Sequence, residues 1–207
     1  SLAMDSNLPH DQAPALGAAL RRFHTDHPQV TLKIESGSSE QVAQWVLDGS
    51  AQIGISVLPR EHPEFDTFPL FEESVTLYCS IGHPLFDLPA GQISMEAIAT
   101  HECILLPSRQ HATAGQLMEQ LRVSAQANTL ETQLLLISTG QYIGFLPQVY
   151  AAPAVKAKTL RPLLAELLSF TIPVVAFGLR DIPKNLACEH FQDCLRRAFQ
   201  SPPAGRH

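Results

Sequence analysis

The sequence predicts an α/β fold built as two lobes, and three observations carry that reading. Short apolar runs of period two alternate with longer runs of helical period along nearly the whole chain. The first sixty or so residues follow the order β-α-β-α-β, which demands a parallel sheet with helices on its faces. The second half alternates again, and no stretch between the halves reads as a flexible linker. The chain therefore crosses between lobes on strands, near Val75–Ile81 and back near Val174–Leu179. The expected division is residues 1–76 for the first part of lobe I, 77–176 for lobe II, and 177–207 for a return strand and a terminal helix packing on lobe I.

Leu2 to Met4 is a short apolar strand that runs into the polar turn Asp5-Ser6-Asn7. A helix over Asp11–Thr25 follows, with Ala13, Leu16, Leu20 and Phe23 on one stripe. Pro14 fits only in its first turn, where the missing N–H is not needed. The segment VTLKIES alternates Val30, Leu32 and Ile34 onto one face, as a strand does. Ser38 then stands as N-cap with Gln41 three residues on, a capping box. Val42, Trp45 and Val46 make the buried stripe, and Asp48-Gly49 closes the helix. Ile53, Ile55 and Val57 form the next strand.

Beyond it, HPEFDTFPLFEE reads as an irregular connection, with Glu72-Glu73 in a solvated turn. SVTLYCSI is a strand and GHPLFDLPAG a turn region. ECILLP is a strand, HATAGQLMEQLR and TLETQLLLIST are helices, and YIGFLP is a strand. SFTIPVVAFGL is a strand with Pro173 near its start. The terminal helix begins around Pro183, with Ala187, Phe191, Leu195 and Ala198 on one stripe, and Pro202-Pro203 end it. No exact internal repeat is visible.

Composition narrows the function. The 207 residues can bury a sizeable core. A net charge of −6 argues against a surface that grips a phosphate backbone by itself. Cys79, Cys103, Cys188 and Cys194 show no framework spacing, so a reducing, cytoplasmic setting is expected. No apolar run is long enough to span a membrane, and the opening residues lack the features of a signal peptide. They read as the first strand of a domain entered abruptly, so a preceding segment is expected. GxSxG, Walker and GxGxxG motifs are missing, so neither an enzyme nor a bound cofactor is expected. His24 and His27 have a spacing that a metal could use, but a solvated helix end explains them better than a site with no third ligand.

LRRFHTDHPQVTLKIESGSSEQVAQWVLDGSAQIGIS resembles the first lobe of the effector-binding domain of LysR-type transcriptional regulators. The family shows a helix ending in Phe, then His-Pro, a strand, a Gly-Ser/Thr turn, a helix, and a Gly before a strand; here GSAQIGIS is the counterpart of that last part. FPLFEESVTLYCSIGHPL is similar to the family's crossover strand, ECILLP to the opening strand of its second lobe, and STGQYIGFLP to its Gly-x-Gly-Ile-x-x-Leu-Pro segment. Together these span nearly the whole chain. The resemblance implies a type 2 periplasmic-binding-protein-like fold, two Rossmann-like lobes with a central cleft and hinged by two crossing strands. It also implies an N-terminal helix-turn-helix outside this sequence. Promoter DNA is then contacted only through that missing part. Where the family carries its second Gly, this chain has Tyr142, a phenol that could face the cleft or alter the strand's approach to it.

The candidate effector residues follow. Ser38 and Ser39 read either as a plain helix cap or as a cradle whose N–H groups and hydroxyls meet an anion; the resemblance favours the cradle. Ser6, Asn7 and Leu8 occupy the equivalent turn after the first strand. Ser108, Arg109, His111 and Thr113 precede or open the second lobe's first helix, where Arg109 and His111 could pair with a carboxylate or belong to an exposed loop. Cys103 precedes a loop without a second cysteine, so a thiol switch is not expected and a buried strand residue is. The reading is thus a ligand-sensing, dimerising domain of a LysR-type regulator binding a small-molecule effector, a carboxylate or other small anion. A homodimer is expected, with a tetramer left open for the full-length protein. A stand-alone solute-binding protein of a transport system is the alternative, and an enzyme on the same fold the weaker one.

Overall fold

The computed structural model describes residues 1–8, 10–58, 62–106, 112–181 and 185–200. The chain forms two compact units, Ser1–Glu72 with Pro173–His207, and Glu73–Ile172. The passages between them fall at Glu72/Glu73 and Ile172/Pro173, against 76/77 and 176/177 expected from sequence.

In the first unit β1 (Leu2–Asp5) leads through a single 3-10 turn into α1 (Ala13–Asp26), with Pro14 in the first turn. β2 is only Ile34–Gly37. The expected start at Val30 is corrected: Val30 and Leu32 pack on the core, but the ladder begins at Ile34, which pairs with Leu2. α2 (Ser39–Leu47) and β3 (Ile53–Val57) follow. Gly49 ends α2 at φ +80, a conformation that costs glycine little. β1 lies between β2 and β3, parallel to both.

β4 (Phe65–Ser80) is one strand of 16 residues. This corrects the expected irregular connection, and it moves Glu72 and Glu73 from a turn into the strand. Its second half belongs to the second unit, which continues with the short α3 (Met95–Ala99), β5 (Glu102–Leu105), α4 (Ala112–Met118) and β6 (Arg122–Gln126). The expected helix through Arg122 is corrected too, since it ends at Met118 and β6 takes Arg122. Then come α5 (Leu130–Ser138), β7 (Tyr142–Pro147), α6 (Gln148–Lys156) and β8 (Leu160–Pro162). β5 lies between β6 and β7, parallel to both, and β7 pairs antiparallel with β4.

β9 (Ser169–Leu179) carries Pro173 at its middle rather than its start, and its second half pairs antiparallel with β3. α7 (Leu186–Gln200) closes the described chain. The expected boundary residues Pro183, Pro202 and Pro203 lie outside the described residues.

Burial explains the layers. In the first unit α1 and α7 cover one sheet face: Ala19, Phe23, Phe191 and Leu195 meet Leu2, Ile53, Ile55 and Val174. α2 covers the other, placing Val42 and Val46 against Ala3 and Phe177. The Phe177 ring lies over Gly54, where an added Cβ would come within 2.4 Å of it. In the second unit Leu130, Ile137 and Ala151 from α5 and α6 pack on Ile104, Leu146 and Tyr78.

Candidate functional site

The strand orders β2-β1-β3 and β6-β5-β7 share one property. From the central strand the chain first steps to one side, then crosses back over it to the other. Right-handed crossovers then put the two connecting helices on opposite faces, which opens a crevice at the carboxyl ends of the strands. In the first unit that crevice lies between β1 and β3; in the second, between β5 and β7.

At the first crevice Asp5 ends β1. Its Oδ2 accepts from Ser56 Oγ at 2.9 Å and its Oδ1 from the Asn7 N–H at 2.9 Å. Asp5 is 8 % exposed, and burial pushes its carboxyl above the ordinary range, partly offset by those hydrogen bonds. Ser6 N–H donates to Gly37 O at 2.8 Å, tying the β1 turn to the end of β2. Ser6 is exposed; Asn7 and Leu8 are half-buried. Ser38 is the N-cap of α2: its hydroxyl accepts from Gln41 N–H at 3.3 Å, and the Gln41 side chain accepts from Ser38 N–H at 2.9 Å. Ser39, the first residue of α2, uses no hydroxyl in that box. The N–H groups of Ser39 and Glu40 have no intrahelical acceptor, by helix geometry. The structure thus gathers Ser6, Asn7, Leu8, Ser38 and Ser39 at one end of one sheet.

In the second unit the expected residues divide. Ser108, Arg109 and His111 lie outside the described residues. Thr113 is an exposed residue inside α4, not its cap. Tyr142 is the first residue of β7, opposite Glu102 at the amino end of β5, and it packs on the core under α5 and α6. The carboxyl end of β5 is Leu105, three residues or about 10 Å further along. Tyr142 is not brought to the crevice.

Polar residues the sequence reading passed over stand at that end. Thr129, following β6, is the N-cap of α5 in a capping box with Thr132, as Ser38 is for α2. Gln148, directly after β7, donates through Nε2 to Thr76 Oγ1 at 2.8 Å, and Thr76 meets Ser169 Oγ at 2.7 Å. The T-x-x-T pattern was a usable signal for Thr129. The trio of Thr76, Gln148 and Ser169 had none, because its members are 21 or more residues apart.

Other chemistry finds little support. The four cysteines are free and buried. Burial pushes the Cys103 thiol up to about 12 and Cys79 to about 11, so neither is poised to react. His27 Nε2 lies 2.8 Å from His190 Nδ1, and His190 Nε2 lies 3.5 Å from Asp26: the histidine expected at a solvated helix end joins α1 to α7. No cluster of three metal-ligating side chains occurs among the described residues. No helix among them is long and apolar enough to cross a membrane.

Comparison with known proteins is consistent with this architecture. The chain is 32% identical over 177 residues to the HTH-type transcriptional activator BauR of Pseudomonas aeruginosa, covering 86% of this chain and 58% of that protein. It is 35% identical over 97 residues to the HTH-type transcriptional regulator SsuR of Burkholderia cenocepacia, covering 46% of this chain and 31% of that one. The chain therefore spans little more than half the length of the curated relatives it matches, or less. Among solved structures, the effector binding domain of QuiR in complex with shikimate superposes with a TM-score of 0.78 at 14% identity, covering 96% of this chain and 95% of that one. The Synechocystis PCC6803 CcmR regulatory domain in complex with 2-PG gives 0.74 at 18% identity, with 98% of each chain covered. At these identities the likeness is one of fold, the type 2 periplasmic-binding-protein-like fold. The family model described as LysR substrate binding domain matches residues 9–200, and the chain belongs to that family.

Proposed function

We propose that this chain is the effector-sensing part of a transcription regulator, holding a small molecule at the carboxyl ends of its parallel strands. The observation that carries the reading is that Ser6 follows β1 and Ser38 and Ser39 follow β2 at the same, carboxyl end of the sheet. This is where open α/β sheets bind ligands, in a chain whose relatives are named as transcriptional activators and regulators. Sensing works by differential affinity: a ligand that fits one arrangement of the protein better shifts the population toward it. Promoter DNA is contacted by a segment of the longer protein outside this chain, in keeping with the net charge of −6 here.

The effector is a small anion, a carboxylate by preference. The uncapped N–H groups of Ser39 and Glu40, the positive end of the α2 dipole and the serine hydroxyls support this. The chain binds its effector without transforming it, and it works in the cytoplasm as a homodimer. Of the small residues Ala15, Ala18 and Ala19 on α1, Ala15 is half-buried and Ala18 exposed, a surface offered to the second copy, while Ala19 is buried in the core.

The test is calorimetry with a panel of small carboxylates and the matching amines. A carboxylate binds and the amine of the same body does not. Ser39→Ala weakens binding roughly ten- to a hundredfold, the effect of one charge-assisted hydrogen bond worth about 1.5–3 kcal/mol. Ser39 is the cleaner position, because Ser38→Ala also removes the helix cap. A panel in which only amines bind would overturn the anion reading.

A further inference from the structure

A recess of about 240 Å³ opens in the first unit beside the β1 turn. Its floor is the sheet, where Met4 pairs with Ile55 on one side and Ser36 on the other. Leu16 of α1, Phe71 of β4 and Phe199 of α7 form its walls, and the two phenylalanine rings are stacked with centroids 5.7 Å apart. Ser6 and Leu8 stand at its edge and also in the turn assigned to the effector.

Protein interiors fill space about as tightly as organic crystals. Here five large apolar side chains (Met4, Leu8, Leu16, Phe71 and Phe199) join the hydrophobic core only in part. They surround room for about eight water-sized groups, at roughly 30 Å³ each. Leaving such walls wet forgoes the gain of burying them. Continuity through Ser6 selects the occupant: a molecule whose polar end is held at the turn has its body over the recess.

Resting on the effector reading above, we infer that the effector is amphiphilic, and that its apolar body fills the recess between α1, α7 and the sheet while its polar end meets Ser6 and Ser39. A hydrocarbon or aromatic body fits the Phe71–Phe199 wall, and hydroxyls set against Leu16 and Ile55 would go unpaired; of the polar residues that also line the recess, Asp5, Gln12 and Ser36, the Asp5 carboxyl is already engaged by Ser56 and Asn7. The ligand class is therefore a monocarboxylate with a body of about eight carbons or fewer.

The experiment titrates straight-chain carboxylates, acetate through decanoate, into the protein and follows binding by calorimetry and NMR. Affinity rises about fourfold per methylene and levels off near eight carbons. Ser36→Leu, which fills the recess from its floor, removes the gain with length and leaves acetate binding unchanged; its melting temperature reports that it is folded. Leu16→Ala, which widens the recess, moves the plateau to longer chains. Equal affinity across the series, a length dependence that ignores Ser36→Leu, or no binding of any member up to about 10 mM each overturns the inference. If length dependence and the Ser36→Leu effect hold but Ser39→Ala is silent, the recess stands and the anion-binding role of α2 falls. If Ser39→Ala weakens acetate while chain length has no effect, the reverse is true.

Discussion

His83 carries a cost that can be measured. It is 3 % exposed; Nδ1 accepts from the Leu85 N–H at 3.1 Å, and Nε2 is buried with no hydrogen-bond partner among the described residues. Burial, then the neighbouring His101 ring 4.7 Å away, pull its pKa from 6.5 down to about 4. The sign follows from linkage. Above about pH 6.5 both states are neutral there and stability is flat. Between 6.5 and 4 the unfolded chain takes up a proton that the folded one refuses, so stability falls as pH falls. Urea unfolding at about pH 7.5 and about pH 5.5 should show a loss that shrinks in His83→Asn; an unchanged pH slope would remove His83 as the cause. At this scale the Ser38 box was legible, because S-x-x-Q states both partners of a local motif. The placement of Tyr142 was not, since it depends on which end of β7 faces the crevice. Nor was the Asp5–Ser56 pair, whose members meet only after β3 docks beside β1.

Helix starts make the matching case for elements. Ser38 and Thr129 each cap a nine-residue helix that is short enough to depend on its cap. Ser38→Ala and Thr129→Ala should each cost about 1 kcal/mol in denaturant unfolding, with the helix retained in tertiary context. A loss below a few tenths would show that packing alone holds these helices. Elements were legible where one face is buried and silent where none is. β6 escaped notice because all five of its residues are exposed or half-buried, which erases the alternation a strand normally writes. α6 was hidden by Pro153 within it. β4 was cut short because its first half reads FDTFPLFEE, with Pro69 inside a strand pattern.

The two units repeat one topology: a central strand, a neighbour on each side in the same order, and an antiparallel strand beyond the last. The α/β class was readable from element order. The repeat was not, because the corresponding segments share topology and not residues. The units differ in how the chain builds them. The second is continuous, Glu73–Ile172, with its own core. The first needs both ends, since Val174, Ala176, Phe191 and Leu195 complete the core begun by Leu2, Phe23 and Ile53. Residues 73–172 expressed alone should give a cooperatively melting domain, and residues 1–72 alone should not. Cooperative melting of the latter would show that α7 and β9 are dispensable.

That interrupted core sets a timetable for a chain leaving the ribosome. β3 ends at Val57, and the residue of β9 paired with it is Val174. At about 5–20 residues per second, β3 waits roughly 6–23 s before its mate emerges. During that interval the later-numbered unit can already be complete, so assembly runs in the opposite order to synthesis. Nascent chains stalled shortly after residue 172 has cleared the exit tunnel should resist protease over 73–172 and be clipped within 1–72. The stretch most in need of a chaperone's shelter is thus the one translated ahead of the partners that complete it.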